Sequence, residues 1–370
     1  MTRISDEEKG INLSQGMPDE LPPKEILNEL LNVIKIPEYH QYSYTYGDPE
    51  LRRLIAERFN SQCNLGFDYK SEVTITCGAS EAFMATCLAL FQKGDEVIIL
   101  EPFYENYCPG VIFAEAKPVF VPMEEPEWKI NYSYLEECIN EKTKAIIINN
   151  PNNPTGKNFT REELELFSSI CEDYNLIAVI DEIYDKMVYD GVHINLASLD
   201  NMWERTITIN GFSKSYDMTG WRVGYCIAAS EFMQNIRKVH DFLTVCAPNP
   251  FQRALIKSFY LDSDYFKIFV NKYKKKRDFF CNSLKKCSFT FKTPNAAYYV
   301  MADFRKWNFK DDKKFANFLV KNSGVATVPG SAFFNKNDYG KNYVRFCYSR
   351  DMEILKDAIE RIKMKLEGKR

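Results

Sequence analysis

The sequence is poor in the residues that bind metals. Histidine occurs only three times in 370 residues, and no two of the 11 cysteines have the CxxC spacing. A structural zinc site needs several such ligands close together in the sequence, so we expect neither a metal site nor a disulfide scaffold. Many of the cysteines lie in apolar stretches, as Cys87 does in ATCLALF, which indicates small buried side chains in a reducing compartment.

Long apolar runs and strong positive charge are also missing. No run approaches the ~20 residues that a membrane span needs, and the charged N-terminus MTRISDEEKG is unlike a secretory signal. The formal net charge is −3, and the basic run at 274–277 is short enough to be a solvated helix face. We therefore predict a cytoplasmic protein with no membrane contact and no nucleic-acid partner.

Several common motifs are absent as well. The sequence has no GxGxxG after its first predicted strand, no GxxxxGK followed by Ser or Thr, no GxSxG and no HExxH. Dinucleotide-binding enzymes and P-loop enzymes are therefore disfavoured.

Short apolar runs alternate with helical patterns through most of the chain. The runs have no polar face, as strands buried on both sides would, and they lie at 73–77, 96–100, 119–121, 145–148, 177–180, 206–209 and 224–228. Apolar residues at helical spacing predict helices at 49–60, 81–91 and 162–174. This alternation predicts an α/β fold, with a mostly parallel central sheet covered by helices on both faces.

The pattern changes after a long helical stretch at 250–285. Strand-like runs at 289–292, 297–302, 324–328 and 343–347 precede a final helix at 352–366, which predicts a smaller α/β domain. A chain of 370 residues is too long for one ordinary core. We predict an N-terminal arm at 1–40 that joins the small domain, a large domain at 41–280 and a small C-terminal domain at 281–370.

Polar and reactive side chains follow the predicted strands directly. In open parallel sheets, ligands bind at the carboxyl ends of the strands. The residues in these places are those at 78–80, 103–104, 153, 181–184 and 213–214. A binding site at this edge of the sheet is therefore expected.

Lys214 is the most informative of these residues. It lies in NGFSKSYDMTGWR at 210–222, near Ser213 and Arg222, which can both donate to a phosphate. Glycines in the segment let the backbone approach a ligand. A lysine held beside a cation is pushed toward its neutral amine, the form that reacts with an aldehyde. A lone lysine is usually a surface charge, so the functional interpretation depends on these neighbours.

This segment resembles the signature of the class I/II aminotransferases, which are fold type I pyridoxal-phosphate enzymes. NPNNPTG at 150–156, DEIY at 181–184 and YVRF at 343–346 resemble further motifs of the family, in the family's order and spacing. The resemblance implies the aspartate aminotransferase-like fold and pyridoxal 5′-phosphate (PLP) as cofactor. It also implies a Schiff base between PLP and Lys214, through which amino groups move between L-amino acids and 2-oxo acids.

The resemblance further implies how the cofactor is held. Asp181 would pair with the pyridine nitrogen and keep the ring protonated, and Tyr104 would stack on the ring. Tyr184 and Asn153 would hydrogen-bond the phenolic oxygen. The phosphate would be bound by the remaining members of the set, which are Gly78, Ala79, Ser80, Ser213 and Arg222. Taken singly, Ser80 and Asp181 are as readily helix caps or turn residues. Tyr104 and Tyr184, taken singly, are as readily packed aromatic side chains.

Three further residues are implied on the substrate side and across subunits. Arg345 would bind the substrate's α-carboxylate through a two-pronged contact shared with Asn153, and the backbone at Gly16 would cover the site. Tyr42 would reach the cofactor phosphate of a neighbouring subunit, which predicts a homodimer with shared active sites. The small-molecule partners would be an amino acid and a 2-oxo acid.

The chain departs from the family pattern at three positions. Gly211 stands where many members have Ser or Thr, and Ala296 and Tyr298 alter the common PxGAFY motif. The identity of the amino donor is therefore not readable. Two other functions stay open: a PLP-dependent C–S β-lyase or decarboxylase on the same fold, and a cofactor-binding regulatory domain. The regulatory alternative is disfavoured, because Gly16 comes too early for a helix-turn-helix to precede it.

Overall fold

The computed structural model describes residues 1–367 of the chain. The thirteen strands in that range are β1 Ile11–Asn12, β2 Val73–Thr76, β3 Glu96–Glu101, β4 Lys117–Glu124, β5 Lys129–Ile130, β6 Thr143–Asn149, β7 Ile177–Asp181, β8 Thr206–Gly211, β9 Gly224–Ile227, β10 Tyr299–Asp303, β11 Val325–Ala326, β12 Val328–Pro329 and β13 Tyr343–Cys347. The fourteen α-helices of the same residues are α1 Thr2–Glu7, α2 Lys24–Val33, α3 Pro49–Cys63, α4 Tyr69–Glu72, α5 Ala79–Leu90, α6 Tyr107–Phe113, α7 Tyr132–Glu137, α8 Arg161–Asp173, α9 Ser230–Thr244, α10 Asn249–Leu255, α11 Tyr265–Lys286, α12 Asp312–Ser323, α13 Asn337–Gly340 and α14 Met352–Glu367.

Eight of the strands form one large sheet. Their order is β2-β9-β8-β7-β6-β3-β4-β5. The run from β8 through β7, β6 and β3 to β4 is parallel throughout. Only the pairs at the two edges, β2 with β9, β9 with β8 and β4 with β5, are antiparallel. The prediction of a mostly parallel central sheet is confirmed.

Both faces of this sheet are buried, which explains why its strands have no polar side in the sequence. On β6, Ile146 and Ile148 pack in a cluster with Phe167 of α8. The alternate residue Ile147 packs in a second cluster with Phe83 of α5. Successive side chains of a strand point to opposite faces, so a strand between two helical layers must be apolar at every position.

Two small sheets lie in the remaining part of the chain. β10, β13 and β12 form an antiparallel sheet, and β1 pairs in parallel with β11. Leu13, next to β1, belongs to the same buried cluster as α11, α12 and α14. The N-terminal segment thus contacts the C-terminal segment directly, while the division at residues 40 and 280 stays a prediction.

Local backbone conformation shifts some of the predicted strands. Residues 289–292 form no strand, and only Thr290 makes an isolated bridge, to Asp303; the preceding residue, Ser288, has a φ of 73°, which extended strands do not adopt. The run predicted from 297 begins at Tyr299, because Ala297 has a φ of 53°. The run at 324–328 is divided between β11 and β12, which pair in different sheets.

Within residues 1–367, no helix combines the length and the apolar composition that crossing a bilayer requires.

Candidate active site

A cavity of about 560 Å³ lies where the parallel strands end. It is bordered by the residues that follow β3, β6, β7 and β8, and by the N-terminal segment and β13. Eleven of the residues singled out in the sequence line it: Gly16, Ala79, Ser80, Tyr104, Asn153, Asp181, Tyr184, Ser213, Lys214, Arg222 and Arg345. Sequence positions up to 329 residues apart therefore meet at one edge of the sheet, as the strand-end rule predicts.

Lys214 follows β8 and reaches into this cavity. Its Nζ donates to the carbonyl oxygen of Gly16 at 3.2 Å and lies 5.6 Å from the ring centre of Tyr298. Removal from water, together with the charges of Arg222 and Arg345, lowers the pKa of Lys214 to about 8. A far larger share of the amine is then neutral near pH 7.5 than at its ordinary pKa of about 10.4.

Asp181 is the last residue of β7, and its carboxylate is buried. The oxygen Oδ2 accepts a hydrogen bond from the hydroxyl of Tyr107 at 2.8 Å, and Oδ1 accepts one from the backbone N–H of Ile183 at 3.1 Å. Burial raises the pKa of Asp181 to about 6, although both hydrogen bonds act in the opposite direction. The side chain is therefore a carboxylate at neutral pH that a nearby cation would stabilise further.

Tyr107 is a site residue that sequence reasoning missed. It begins α6, three residues after Tyr104, and the two ring centres are 5.6 Å apart. The only signal in the sequence is a second tyrosine in EPFYENY, because its contact with Asp181 joins positions 74 residues apart.

The turn before α5 forms a polar cradle with Arg222. Gly78 has a φ of 78°, which glycine adopts without strain, and a Cβ at this position would lie 2.6 Å from Nη2 of Arg222. Gly78 itself does not line the cavity, whereas Ala79 and Ser80, the first two residues of α5, do. Unpaired N–H groups at a helix N-terminus and an adjacent guanidinium are suited to a phosphate.

The departure at Gly211 has a steric reason. A Cβ on Gly211 would lie 2.9 Å from the Cα of Gly224, where β8 pairs with β9. Adding a serine or threonine side chain here would require the two strands to move apart. Glycine thus fits the close approach of the strands, and Ser213 remains as the nearby hydroxyl that lines the cavity.

Arg345 lies on β13 with its guanidinium between two aromatic rings. The centres of the Tyr299 and Phe333 rings are 4.5 and 4.7 Å from its Cζ. Nη1 donates to Oδ1 of Asn153 at 2.8 Å and Nη2 to the carbonyl oxygen of Ser14 at 2.6 Å. The buried Nε has no hydrogen-bond partner in the described part of the chain. A buried charged donor without a partner is uncommon and indicates a place for an anion.

The N-terminal segment closes one side of the cavity through Gly16. Its carbonyl oxygen accepts hydrogen bonds from Lys214 and, at 3.1 Å, from the hydroxyl of Tyr298. Tyr184 lies beside this contact, and its hydroxyl is 3.0 Å from that of Tyr299. The hydroxyl of Tyr298 therefore serves a contact that a phenylalanine would not make. Ala296, the other departure, donates its N–H to the carbonyl oxygen of Gly156 and does not line the cavity.

Tyr42, a further proposed cofactor contact, does not line the cavity. Its side chain is 81% exposed. A contact between Tyr42 and the cofactor of a second subunit requires such exposure. The position of Tyr42 gives no support for a contact with the cofactor of its own subunit.

Comparisons with known proteins find relatives over almost the whole chain. A family model described as aminotransferase class I and II matches residues 8–362. Human kynurenine–oxoglutarate transaminase 1 is 32% identical, with 98% of this chain and 93% of the relative covered. The aspartate aminotransferase of Pyrococcus abyssi is 34% identical, with 97% and 92% covered.

Solved structures give the same result. N-succinyldiaminopimelate aminotransferase from Mycobacterium tuberculosis superposes with a TM-score of 0.95 at 32% identity, covering 98% of this chain and 95% of that one. The aromatic aminotransferase from Pyrococcus horikoshii superposes with a TM-score of 0.92 at 34% identity, covering 98% and 99%.

Proposed function

The chain belongs to the class I and II aminotransferases, and on that premise we propose that Lys214 is the residue that binds PLP and transfers the proton during amino-group exchange. The membership confirms the predicted fold type I architecture, the aminotransferase activity and the requirement for PLP. The observation that carries the assignment of Lys214 is its position in the cavity with a pKa lowered to about 8.

The cavity residues fit this cofactor. When bound, PLP supplies an aldehyde for the Lys214 amine and a ring that withdraws electrons from the substrate's α-carbon. The helix N-terminus at Ala79 and Ser80 would hold the phosphate with Gly78, Ser213 and Arg222. Asp181 would pair with the ring nitrogen, Tyr104 would lie against the ring, and Tyr184 and Asn153 would donate to the phenolic oxygen. The buried carboxylate of Asp181 and the turn at Gly78, where a Cβ would lie 2.6 Å from Nη2 of Arg222, are the features that support the fit.

Substrate binding is assigned to Arg345, Asn153 and Gly16. Arg345 is held by Asn153 and by the carbonyl oxygen of Ser14, so its guanidinium is oriented before a ligand arrives. Its Nε is free to donate to an α-carboxylate, and charge-assisted bonds of this kind are strong in a water-poor cavity. Gly16 excludes water from the same side, since its backbone lies against Lys214 and Tyr298.

Lys214 then acts at its Nζ. With the substrate's own amine in its place, the neutral Nζ would take the proton from the substrate α-carbon as general base. It would then return that proton, as general acid, to the cofactor carbon to which Lys214 had been attached. A pKa of about 8 suits both directions, because an acid–base catalyst works best when its pKa is near the working pH.

The test is the replacement of Lys214 by alanine. We expect Lys214→Ala to abolish transamination and the absorption band of covalently bound PLP. Lys186→Ala is a matched control, because Lys186 is a partly buried lysine outside the cavity, paired with Asp185 at 2.7 Å. Normal turnover in Lys214→Ala would refute the assignment.

The transamination assay can also identify the amino acid that donates the amino group. The relatives are named for kynurenine, aspartate, aromatic and succinyldiaminopimelate substrates, so their names select no single donor. We propose screening the twenty amino acids with 2-oxoglutarate, pyruvate and oxaloacetate as acceptors. Pyruvate formed from cystathionine without any acceptor would instead indicate β-lyase chemistry.

A cytoplasmic homodimer, with Tyr42 contributing to the neighbouring site, is the assembly we propose. Large apolar side chains support it, because Tyr42, Tyr44 and Phe242 are 81%, 71% and 92% exposed, and exposed apolar surface commonly marks an interface. Sedimentation equilibrium of the holoenzyme tests this, and a monomer that binds PLP fully would contradict it.

A further inference from the structure

His240 is a buried ionisable residue that the proposed mechanism does not use. It lies near the end of α9 and is 0% exposed. Its Nδ1 is 3.0 and 3.1 Å from the two carboxylate oxygens of Glu81, and its Nε2 is 2.9 Å from the carbonyl oxygen of Thr45. Both ring nitrogens therefore face oxygen acceptors, on two different segments of the chain.

The partners indicate which protons the ring carries. A carbonyl oxygen can only accept, so Nε2 must donate to Thr45. Glu81 already accepts the backbone N–H of Cys77 at 3.1 Å and lies in the first turn of α5, where the helix dipole favours negative charge. An ionised Glu81 requires a proton on Nδ1 as well. The arrangement is thus that of a doubly protonated imidazolium.

Each partner belongs to a segment that the proposed function needs. Glu81 holds the backbone at Cys77, the residue before Gly78 in the phosphate turn. Thr45 lies in the segment 41–47, which carries Tyr42. That segment is also held by Asn249, which donates to the carbonyl oxygen of Gln41, and by Gln252, which donates to the hydroxyl of Ser43.

We propose that His240, as an imidazolium, is a positioning residue that fixes the phosphate turn at Gly78 relative to the segment carrying Tyr42. It would hold together the part of the chain that binds its own PLP phosphate and the part that reaches the neighbouring one. This inference rests on the proposed function, since both segments are assigned there. His240 itself does not line the cavity.

The surroundings favour the charged ring. Burial alone would lower the pKa of His240, but the hydrogen bond and the charge of Glu81 outweigh it and leave the pKa raised, with Asp241 adding in the same direction. The other titratable and charged groups of the packed elements have separate partners, as follows. Arg237 on α9 donates to the hydroxyl of Thr74 and the carbonyl oxygen of Val73, both on β2, and its guanidinium lies over the ring of Tyr46. Cys77 donates its thiol to the carbonyl oxygen of Cys246. On α4, the carboxylate of Glu72 accepts the backbone N–H of Asp68, and Lys70 is exposed.

The pH dependence follows from the raised pKa. The contribution of His240 is complete below its ordinary pKa of about 6.5 and is lost as the pH rises through the higher value in the folded protein. We therefore expect the advantage of the wild-type protein over a variant without the imidazolium to be largest in mildly acidic solution and to shrink in alkaline solution.

Nuclear magnetic resonance of the imidazole nitrogens tests the protonation directly. The chain has only three histidines, so labelling histidine with ¹⁵N gives few signals, and His240→Gln assigns the one in question. We expect both nitrogens of His240 to be protonated at pH 6.5 in the wild-type holoenzyme and the ring to be neutral in Glu81→Gln. A neutral His240 in the wild type overturns the proposal, whether or not any variant folds.

PLP binding to the apoenzyme tests the positioning role. We expect His240→Gln and Glu81→Gln each to raise the dissociation constant of PLP about tenfold at pH 6.5, as the loss of one charged hydrogen bond would. The double variant should be no weaker than either single one, because both changes remove the same contact. His40→Gln is the control, since His40 is an exposed histidine whose ring contacts the carbonyl oxygen of Ile34.

The outcomes separate the two proposals. A lower unfolding temperature with an unchanged dissociation constant in both variants means that His240 is merely structural and overturns the inference. Failure of the wild-type apoenzyme to bind PLP overturns the proposed function instead, and the resonance experiment, repeated on the apoenzyme, then still decides the protonation of His240.

Discussion

The hydroxyl of Tyr107 is expected to set the pH at which the cofactor is held. It donates to Oδ2 of Asp181 at 2.8 Å, and the only other hydrogen bond found for that carboxylate within residues 1–367 comes from Ile183. Both side chains are buried. Tyr107→Phe removes the hydroxyl and keeps the ring, so it isolates this one hydrogen bond.

The size of the effect follows from the geometry. A hydrogen bond to a charged group contributes about 1.5–3 kcal/mol, and each pH unit of displacement corresponds to about 1.4 kcal/mol. The pKa of Asp181 is already raised by burial to about 6, and losing Tyr107 raises it further. In the proposed arrangement the ring nitrogen of PLP would pair with this carboxylate, so PLP affinity should be lost as the pH falls through this pKa. Tyr107→Phe should lose its PLP affinity at a pH about one to two units higher than the wild-type protein does.

The measurement is the PLP dissociation constant of the apoenzyme between pH 5 and 9. The two proteins should agree in alkaline solution and diverge near neutrality, with the variant weaker. Tyr132→Phe is the control, because it removes a tyrosine hydroxyl that donates at 2.9 Å to the carbonyl oxygen of Glu163, outside the cavity. The same pH profile for Tyr107→Phe and the wild type would refute the reasoning.

Three further changes test other parts of the structure. Gly78→Ala should weaken inorganic phosphate binding to the apoenzyme at least about tenfold, since its Cβ would lie 2.6 Å from Arg222 and φ is positive; equal phosphate affinity by calorimetry would count against the cradle. Thr160→Ala should lower the free energy of unfolding in urea by about 1 kcal/mol, because it removes the capping box of α8, and should leave turnover unchanged. Tyr298→Phe should raise KM about threefold to tenfold with little change in kcat, since the hydroxyl holds Gly16 over the site; an unchanged KM in steady-state assays would exclude that role.

The central sheet was predictable because its physical cause is local. A strand between two helical layers is apolar at every position, as Ile177–Asp181 is up to its last residue, and the pattern can be read without knowing the partners. The clustering of residues at the strand ends was predictable for a related reason, because the ends of parallel strands meet at one edge. Asp181 and Lys214 follow neighbouring strands, so their proximity is a consequence of strand order.

Contacts between distant segments could not be predicted in this way. The hydroxyl of Tyr298 reaches Gly16 across 282 positions, and His240 reaches Thr45 across 195. Neither pair shares an element or a motif, so nothing in the sequence around one residue indicates the other. The missing strand at 289–292 has another cause: Ser288 has a positive φ where α11 ends, and the N–H groups of Ser288 and Phe289 donate to carbonyl oxygens of the last helical turn. No glycine marks this cap in the sequence.

The two arginines of the cavity make the state of Lys214 depend on what is bound. Arg222 and Arg345 both lower the pKa of Lys214, in addition to burial. An anion that neutralises either guanidinium removes part of that effect, so the pKa of Lys214 should rise when phosphate binds at Arg222. The amine of Lys214 is then most often neutral in the empty site and more basic once anions occupy the two arginines, which suits its later role as a base. The pH dependence of covalent attachment of pyridoxal, which lacks the phosphate, measures this in the apoenzyme. Saturating inorganic phosphate should move the midpoint to higher pH, and a midpoint that stays fixed or moves lower would show that Arg222 does not act on Lys214.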